Sequence, residues 1–331
     1  MQPAVIAVIG GGSWASALVK ILSEGNVKIN WWIRNPDDVK HIKTYNNNPR
    51  YLSNIQFNLR KVKPSTDLKK VLEDSTYVIL AVPAAFISEV IGSMEADALK
   101  DKIIVSAIKG MIPNENILIT QYIEKHFNIK EEDQCIIAGP CHSEEIALEK
   151  QSYLTIGGKS ASAEKVANLL SCRYVKTSYI EDLYGIEYCA IMKNIIAIAC
   201  GVARGQSYGD NFQAVLVSNA MQEIQRFVNK IYPLEGRDLN SSAYLGDLLV
   251  TAYSQFSRNR TLGTMVGQGY SVRSAQMEMK MIAEGYYAVK SIYEVNKKYE
   301  VEMPITTAVY HILYEKISPS VEMKILENQL K

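Results

Sequence analysis

The sequence predicts an α/β protein in two parts, a doubly wound sheet over residues 1–180 and an all-helical domain over residues 181–331. Three observations predict it. Apolar runs of strand length alternate with helical patterns through the first half, as in sheets covered by helices on both faces. A glycine-rich turn joins the first strand to the first helix. From Glu181 onward the apolar residues take a 3.6-residue period, with Ile186, Ala190, Ile191, Ile195, Ile198 and Ala199 on shared helical faces. A chain of 331 residues exceeds one ordinary core, which fits two domains.

The first turn carries the sharpest signal. Residues 5–9 form a buried strand, Gly10-Gly11-Gly12 the turn, and residues 15–22 a helix that stops at Glu24-Gly25-Asn26. Gly10 allows a tight turn, and Gly12 removes a Cβ where a pyrophosphate would approach the backbone. Ala15 is the third small position, where helix and strand pack closely. Amides at a helix N-terminus, at the positive end of its dipole, suit phosphate oxygens. The pattern predicts a Rossmann-like dinucleotide-binding domain, the alternative being a glycine turn in some other α/β unit.

Residues 27–33 are the second strand, closed by Arg34-Asn35-Pro36, and Asn46-Asn47-Asn48-Pro49 marks a loop. Residues 76–82 and 102–108 are further strands around a helical pattern at 85–94. Residues 135–138 and 153–156 add two strands and 173–177 one more. Ligands of open parallel sheets sit beyond the carboxyl ends of strands, which places Pro83 and Lys109 beside a cofactor crevice. In the second half, helices are expected near 212–230, 243–254, 273–297 and 304–316, with turns at Tyr232-Pro233 and Glu302-Met303-Pro304.

Charge and cysteine content exclude several classes. Thirty-six basic against 35 acidic residues leave a net charge of +1, so no global field points to nucleic acid or an anionic membrane. The cysteines, five in all (Cys135, Cys141, Cys172, Cys189 and Cys200), lack C-x-x-C spacing, which argues against structural zinc and a secreted disulfide framework. A cytoplasmic protein is expected. The N-terminal apolar stretch is too short to span a bilayer and reads as a core strand rather than a signal, with no membrane insertion expected.

Six positions or segments could carry chemistry. Lys193 lies inside an apolar helix, where burial lowers a lysine pKa toward an acid/base range, unless it snorkels at the helix edge. Lys109 ends a strand before Gly110 and is either an anion ligand or a solvated loop lysine. Ser257-Arg258-Asn259-Arg260 suits phosphate oxygens, although four polar residues in a row are more often a solvated turn. Asp247 is either a helix N-cap or a group that orients Lys193. Gly139-Pro140-Cys141-His142-Ser143 passes from a strand into a helix and could line a pocket; His142 reads better as a surface histidine than as a catalyst. Arg34, 24 positions after Gly10, stands where such folds place an acid for the ribose hydroxyl, and a cation there favours a 2′-phosphate.

Taken in order and spacing, these segments resemble the bacterial-type NAD(P)-dependent glycerol-3-phosphate dehydrogenases. The resemblance covers nearly the full chain: residues 10–18, Asn48-Pro49-Arg50-Tyr51-Leu52, Ala81-Val82-Pro83, Ile108-Lys109-Gly110, Ala138-Gly139-Pro140, Lys193-Asn194, Gly209-Asp210-Asn211, Leu245-Gly246-Asp247-Leu248, the Ser257 run and Ala283-Glu284-Gly285. It implies NAD or NADP as cofactor and reversible reduction of dihydroxyacetone phosphate to sn-glycerol 3-phosphate, feeding phospholipid synthesis, in a cleft between the domains of a homodimer. It implies that Lys193 exchanges the proton. Lys109, Gly139, Cys141, Lys193, Asp247, Ser257, Arg258 and Asn259 would hold the phosphorylated substrate. Gly10, Gly12, Ser13, Trp14, Arg34, Lys109, Ser143, Arg258, Ile282 and Glu284 would serve the cofactor.

The chain departs from that family's pattern at several positions. Cys141 replaces a serine or threonine, so a thiol stands for a hydroxyl donor. Ser143 replaces alanine, Ala15-Ser16 replaces Gly-Thr, Arg204 stands where an acid is usual, and Ser218-Asn219-Ala220 replaces Thr-Arg-Gly. The competing readings are a related 3-hydroxyacid or ketopantoate dehydrogenase, which would need a carboxylate clamp, and a nucleotide sensor without turnover.

Overall fold

A computed structural model describes residues 3–92, 94–279 and 282–331. The chain packs as two units: residues 1–82, 86–108 and 119–183 form the first, and residues 83–85, 109–118 and 184–331 the second.

The first unit is built on one eight-stranded sheet. Its elements, in order, are β1 (Ala4–Ile9), α1 (Ser13–Glu24), β2 (Val27–Trp32), α2 (Pro36–Tyr45), β3 (Val62–Ser65), α3 (Leu68–Leu72), β4 (Tyr77–Leu80), α4 (Ala84–Ile91), β5 (Ile103–Ser106), α5 (Ile119–Phe127), β6 (Gln134–Ala138), α6 (Ser143–Ala147), β7 (Ser152–Gly158), α7 (Ser160–Leu170) and β8 (Val175–Ile180). The strand order is β3-β2-β1-β4-β5-β6-β7-β8. β1 pairs in parallel with β2 and β4, and the crossovers between them are helical. This is the doubly wound arrangement, with β1 at the point where the order reverses.

Two features differ from expectation. β6 and β7 pair antiparallel, Ile137 opposite Ile156, so the sheet is mixed where an open parallel sheet was expected. The strand β3 carries no sequence signal because Pro64 interrupts it; it survives by sitting at the sheet edge opposite Trp31, where a missing amide costs little. The core beneath β1, β2 and α1 is largely apolar, with Trp31 fully buried and set edge-on to Phe57 at 4.9 Å.

The second unit consists of helices: α8 (Leu183–Gly205), α9 (Asp210–Ile231), α10 (Asp247–Tyr253), α11 (Arg258–Gly267), α12 (Val272–Glu278), α13 (Glu284–Tyr299), α14 (Pro304–Tyr310) and α15 (Pro319–Glu327), with π-turns at Ser242–Gly246 and His311–Glu315. α8 is long and apolar enough to cross a membrane by composition, and it is buried inside the protein along its apolar length. It packs on α11 through four glycines. A Cβ at Gly201 would collide with Arg260 O, at Gly205 with Thr264 O, at Gly263 with Ile198 O and at Gly267 with Val202 O. Backbone therefore lies against backbone along this seam.

The segment 273–297, expected as one helix, is two. Ala283 is extended (φ −92°, ψ 102°), and the Ile282 carbonyl accepts from Arg258 Nη1 at 3.0 Å instead of from a helical amide. Glu223 on α9 ties the last helices down. Its buried carboxylate accepts from the Ile305 and Thr306 amides at 2.8 and 2.9 Å and from Thr306 Oγ1 at 2.6 Å, capping the start of α14.

Candidate active site

The second unit gathers eight of the predicted residues. Lys193, on the buried face of α8, is 5% exposed and donates to Asp247 Oδ1, itself 2% exposed. Asp247 is the first residue of α10, following a π-turn, and Gly246 before it is already helical. Of its two open readings, the structure shows the pairing with Lys193, while Gly246 holds the N-cap position of α10. Burial pushes the Lys193 ammonium below the ordinary lysine range, Lys109 pushes it down further, and the Asp247 carboxylate opposes both.

Lys109 reaches this cluster three residues after β5 ends. Asn194, the neighbour of Lys193, donates Nδ2 to the Lys109 carbonyl at 3.2 Å. Gly110 follows because a Cβ there would stand 2.6 Å from that of Ala84. Glu284 opens α13 half-buried beside Lys109 and Arg258. Burial raises its carboxyl pKa, opposed by those two cations and by the backbone amides of Lys109 and Ala84.

Ser257-Arg258-Asn259 is the capped start of α11, where the sequence left a solvated turn open. Ser257 is the N-cap, its Oγ accepting from the Arg260 amide at 3.3 Å. Arg258 is exposed and held by its bond to Ile282 O. Asn259 is buried and accepts from the Gly285 amide at 2.9 Å. A Cβ at Gly285 would lie 2.6 Å from Asn194 O and 2.9 Å from Asn259 Oδ1, so α8, α11 and α13 converge there without room for a side chain. Lys193, Asp247, Lys109, Ser257, Arg258, Asn259, Ile282 and Glu284 thus share one end of the helical unit.

The remaining predicted residues lie in the sheet unit. Gly10 has φ +135°, and a Cβ there would strike the Ala81 carbonyl, so only glycine fits. Its carbonyl accepts from Trp31 Nε1 at 2.6 Å. The Gly11 carbonyl accepts from Asn48 Nδ2 at 3.0 Å, which also donates to Ser16 Oγ at 3.0 Å. At Gly12 a Cβ would meet nothing within 4 Å, and Gly12 caps α1 with no side-chain bond. That open cradle above a helix N-terminus fits a dinucleotide pyrophosphate. Ser13 is buried and, with Trp14, begins α1. Arg34 follows β2, exposed, its guanidinium 5.8 Å from the centre of the Phe86 ring.

Gly139, Cys141 and Ser143 form the turn from β6 into α6. Gly139 has φ +109°, Cys141 is buried, and Ser143 Oγ donates to Glu144 Oε2 at 3.0 Å. The helix α6 packs on α1, and Lys20 of α1 is bonded to Glu149 just beyond α6 at 2.7 Å. Sequence reasoning missed Trp31, Asn48 and Asn194 as site residues. Trp31 and Asn48 bond to backbone carbonyls far away in sequence, and only the position of Asn194 beside Lys193 could have singled it out.

Comparison with known proteins shows the family. The family model for the N-terminus of NAD-dependent glycerol-3-phosphate dehydrogenase matches residues 5–164, and that for its C-terminus residues 182–324. A glycerol-3-phosphate dehydrogenase (NAD(P)+) of Bacillus subtilis is 32% identical over 323 residues, covering 96% of this chain and 92% of that one. Its counterpart in Limosilactobacillus reuteri is 32% identical over 94% and 93%. Among solved structures, glycerol-3-phosphate dehydrogenase from Coxiella burnetii superposes with a TM-score of 0.90 at 27% identity, over 98% of this chain and 99% of that one. A sheet unit with an open glycine cradle and a helical unit with a buried lysine are both accounted for: the chain belongs to the NAD-dependent glycerol-3-phosphate dehydrogenase family.

Proposed function

We propose that Lys193 exchanges the substrate proton as this NAD(P)-dependent oxidoreductase interconverts dihydroxyacetone phosphate and sn-glycerol 3-phosphate. The observation that carries the reading is the buried Lys193–Asp247 pair beside Lys109. In the reductive direction the Lys193 ammonium donates its proton to the ketone oxygen. In the oxidative direction the neutral amine takes the hydroxyl proton, a state that burial makes accessible nearer to neutral pH. Asp247 keeps the ammonium oriented and favours its charged form when reduction requires it. A bound nicotinamide supplies or accepts the hydride.

Lys109 and the Ser257-Arg258-Asn259 start of α11 supply cations and donors for the substrate phosphate. Binding energy from that remote group holds the ketone in place for reaction. Gly139 and Cys141 complete the substrate contacts. Gly10, Gly12, Ser13, Trp14, Arg34, Ser143, Ile282 and Glu284, with Lys109 and Arg258, serve the cofactor, Arg34 favouring NADP through the 2′-phosphate. The enzyme would work as a cytoplasmic homodimer without membrane insertion, and its product supplies the glycerol backbone of phospholipids.

Initial rates with NADH and NADPH over a panel of phosphorylated and carboxylated ketones test this reading. Turnover of dihydroxyacetone phosphate, with ketopantoate and 3-keto acids inert, is expected. A preference for a carboxylated ketone, or cofactor binding without turnover of any ketone, would refute it.

A further inference from the structure

The loop Asn48-Pro49-Arg50-Tyr51-Leu52 and the paired tryptophans of β2 have no part in the chemistry above, yet both reach the glycine turn. Trp31 and Asn48 are 0% and 1% exposed. Trp31 Nε1 donates to the Gly10 carbonyl and Asn48 Nδ2 to the Gly11 carbonyl. Asn48 is itself fixed, because its Oδ1 accepts from the Arg50 amide at 2.9 Å and the Tyr51 amide at 3.2 Å. A trans peptide is planar, so its N–H points opposite to its C=O. Anchoring the Gly10 carbonyl therefore aims the Gly11 N–H, and anchoring the Gly11 carbonyl aims the Gly12 N–H. Beyond Gly12 and its two chain neighbours, no atom lies within 4 Å of where a Gly12 Cβ would be.

We propose that Trp31 and Asn48 are positioning residues for the cofactor, holding the Gly11 and Gly12 amides toward its pyrophosphate. A triple-glycine turn is otherwise the most mobile way to leave a strand, since glycine has more backbone conformations to lose than any other residue. Two buried side-chain donors replace that freedom with a fixed pair of dipoles. The inference rests on the dehydrogenase reading, because it needs a pyrophosphate at this turn.

The test is calorimetric binding of NADPH and NADH to the full chain, with melting temperature measured alongside. Trp31→Phe keeps a ring against Phe57 and removes the donor together with part of the indole's volume, which the melting temperature reports. Asn48→Asp keeps the acceptor that folds the loop and removes the donor to Gly11. Asn48→Ala removes both without adding charge. Each is expected to raise the cofactor dissociation constant about tenfold, the size of one lost well-placed hydrogen bond. The loss should appear as a raised KM for the cofactor, with kcat at saturating cofactor affected less. Folded variants whose cofactor affinity stays within twofold of wild type, whatever their melting temperature, would overturn the proposal. If Asn48→Ala does not fold, Trp31→Phe and Asn48→Asp decide it. A wild-type chain that binds neither nucleotide would instead sink the dehydrogenase reading itself.

Discussion

Lys193 and Asp247, 54 positions apart in sequence, meet as a buried ion pair in the helical unit. A buried pair is a costly device for stability, since desolvation offsets most of the attraction. Here it sets the charge of a lysine whose surroundings otherwise favour the neutral amine.

Lys193→Ala is expected to lower kcat about a thousandfold, within the range for losing a general acid or base. Calorimetric cofactor affinity should be retained, because Lys193 is not among the residues assigned to the cofactor. Turnover unchanged from wild type would refute the assigned role.

Asp247→Asn removes the group that raises the Lys193 pKa and leaves burial and Lys109, which lower it. Reduction requires the ammonium and is lost as pH rises through its pKa. The falling limb of the reductive pH–rate profile should therefore move to lower pH in the variant. Movement to higher pH, or none, would show that Asp247 does not set this proton.

Arg34→Ala should lower the ratio of NADPH to NADH affinity at least about tenfold, the cost of losing one charge-assisted contact to a 2′-phosphate. Titration of both nucleotides measures it. An unchanged ratio would remove Arg34 from cofactor choice.

Glu223→Ala leaves the Ile305 and Thr306 amides and Thr306 Oγ1 without their carboxylate partner at the start of α14. A loss of about 3 kcal/mol in denaturant unfolding is expected. A loss below about 0.5 kcal/mol would mean that water or a local shift replaces the carboxylate.

Much of this molecule is legible from local pattern. The glycine turn, the strands around it and the buried stretch of α8 follow from spacing and apolar runs. Lys193 stands out because it is a cation among apolar neighbours. What local pattern could not supply is partnership. Asp247 is compatible with a cap or an ion pair until α10 and α8 are seen together. The break between α12 and α13 was invisible because the group that takes up the Ile282 carbonyl, Arg258, lies on another helix. β3, with Pro64 inside it, is held by its neighbour rather than by its own propensity. Asn48 reads as a loop residue because its partners, Gly11 and Ser16, lie more than 30 residues away.

The glycine seam between α8 and α11 has a consequence for how this site can evolve. At Gly201, Gly205, Gly263 and Gly267 main chain meets main chain, so no side chain is present there whose repacking could tune the separation of the helices. The lysine on one rod and the Ser257-Arg258-Asn259 cap on the other are therefore kept at a gauge fixed by the thickness of polypeptide itself. A side chain at any of the four positions would force the rods apart, and Lys193 with them from the Ser257-Arg258-Asn259 cap.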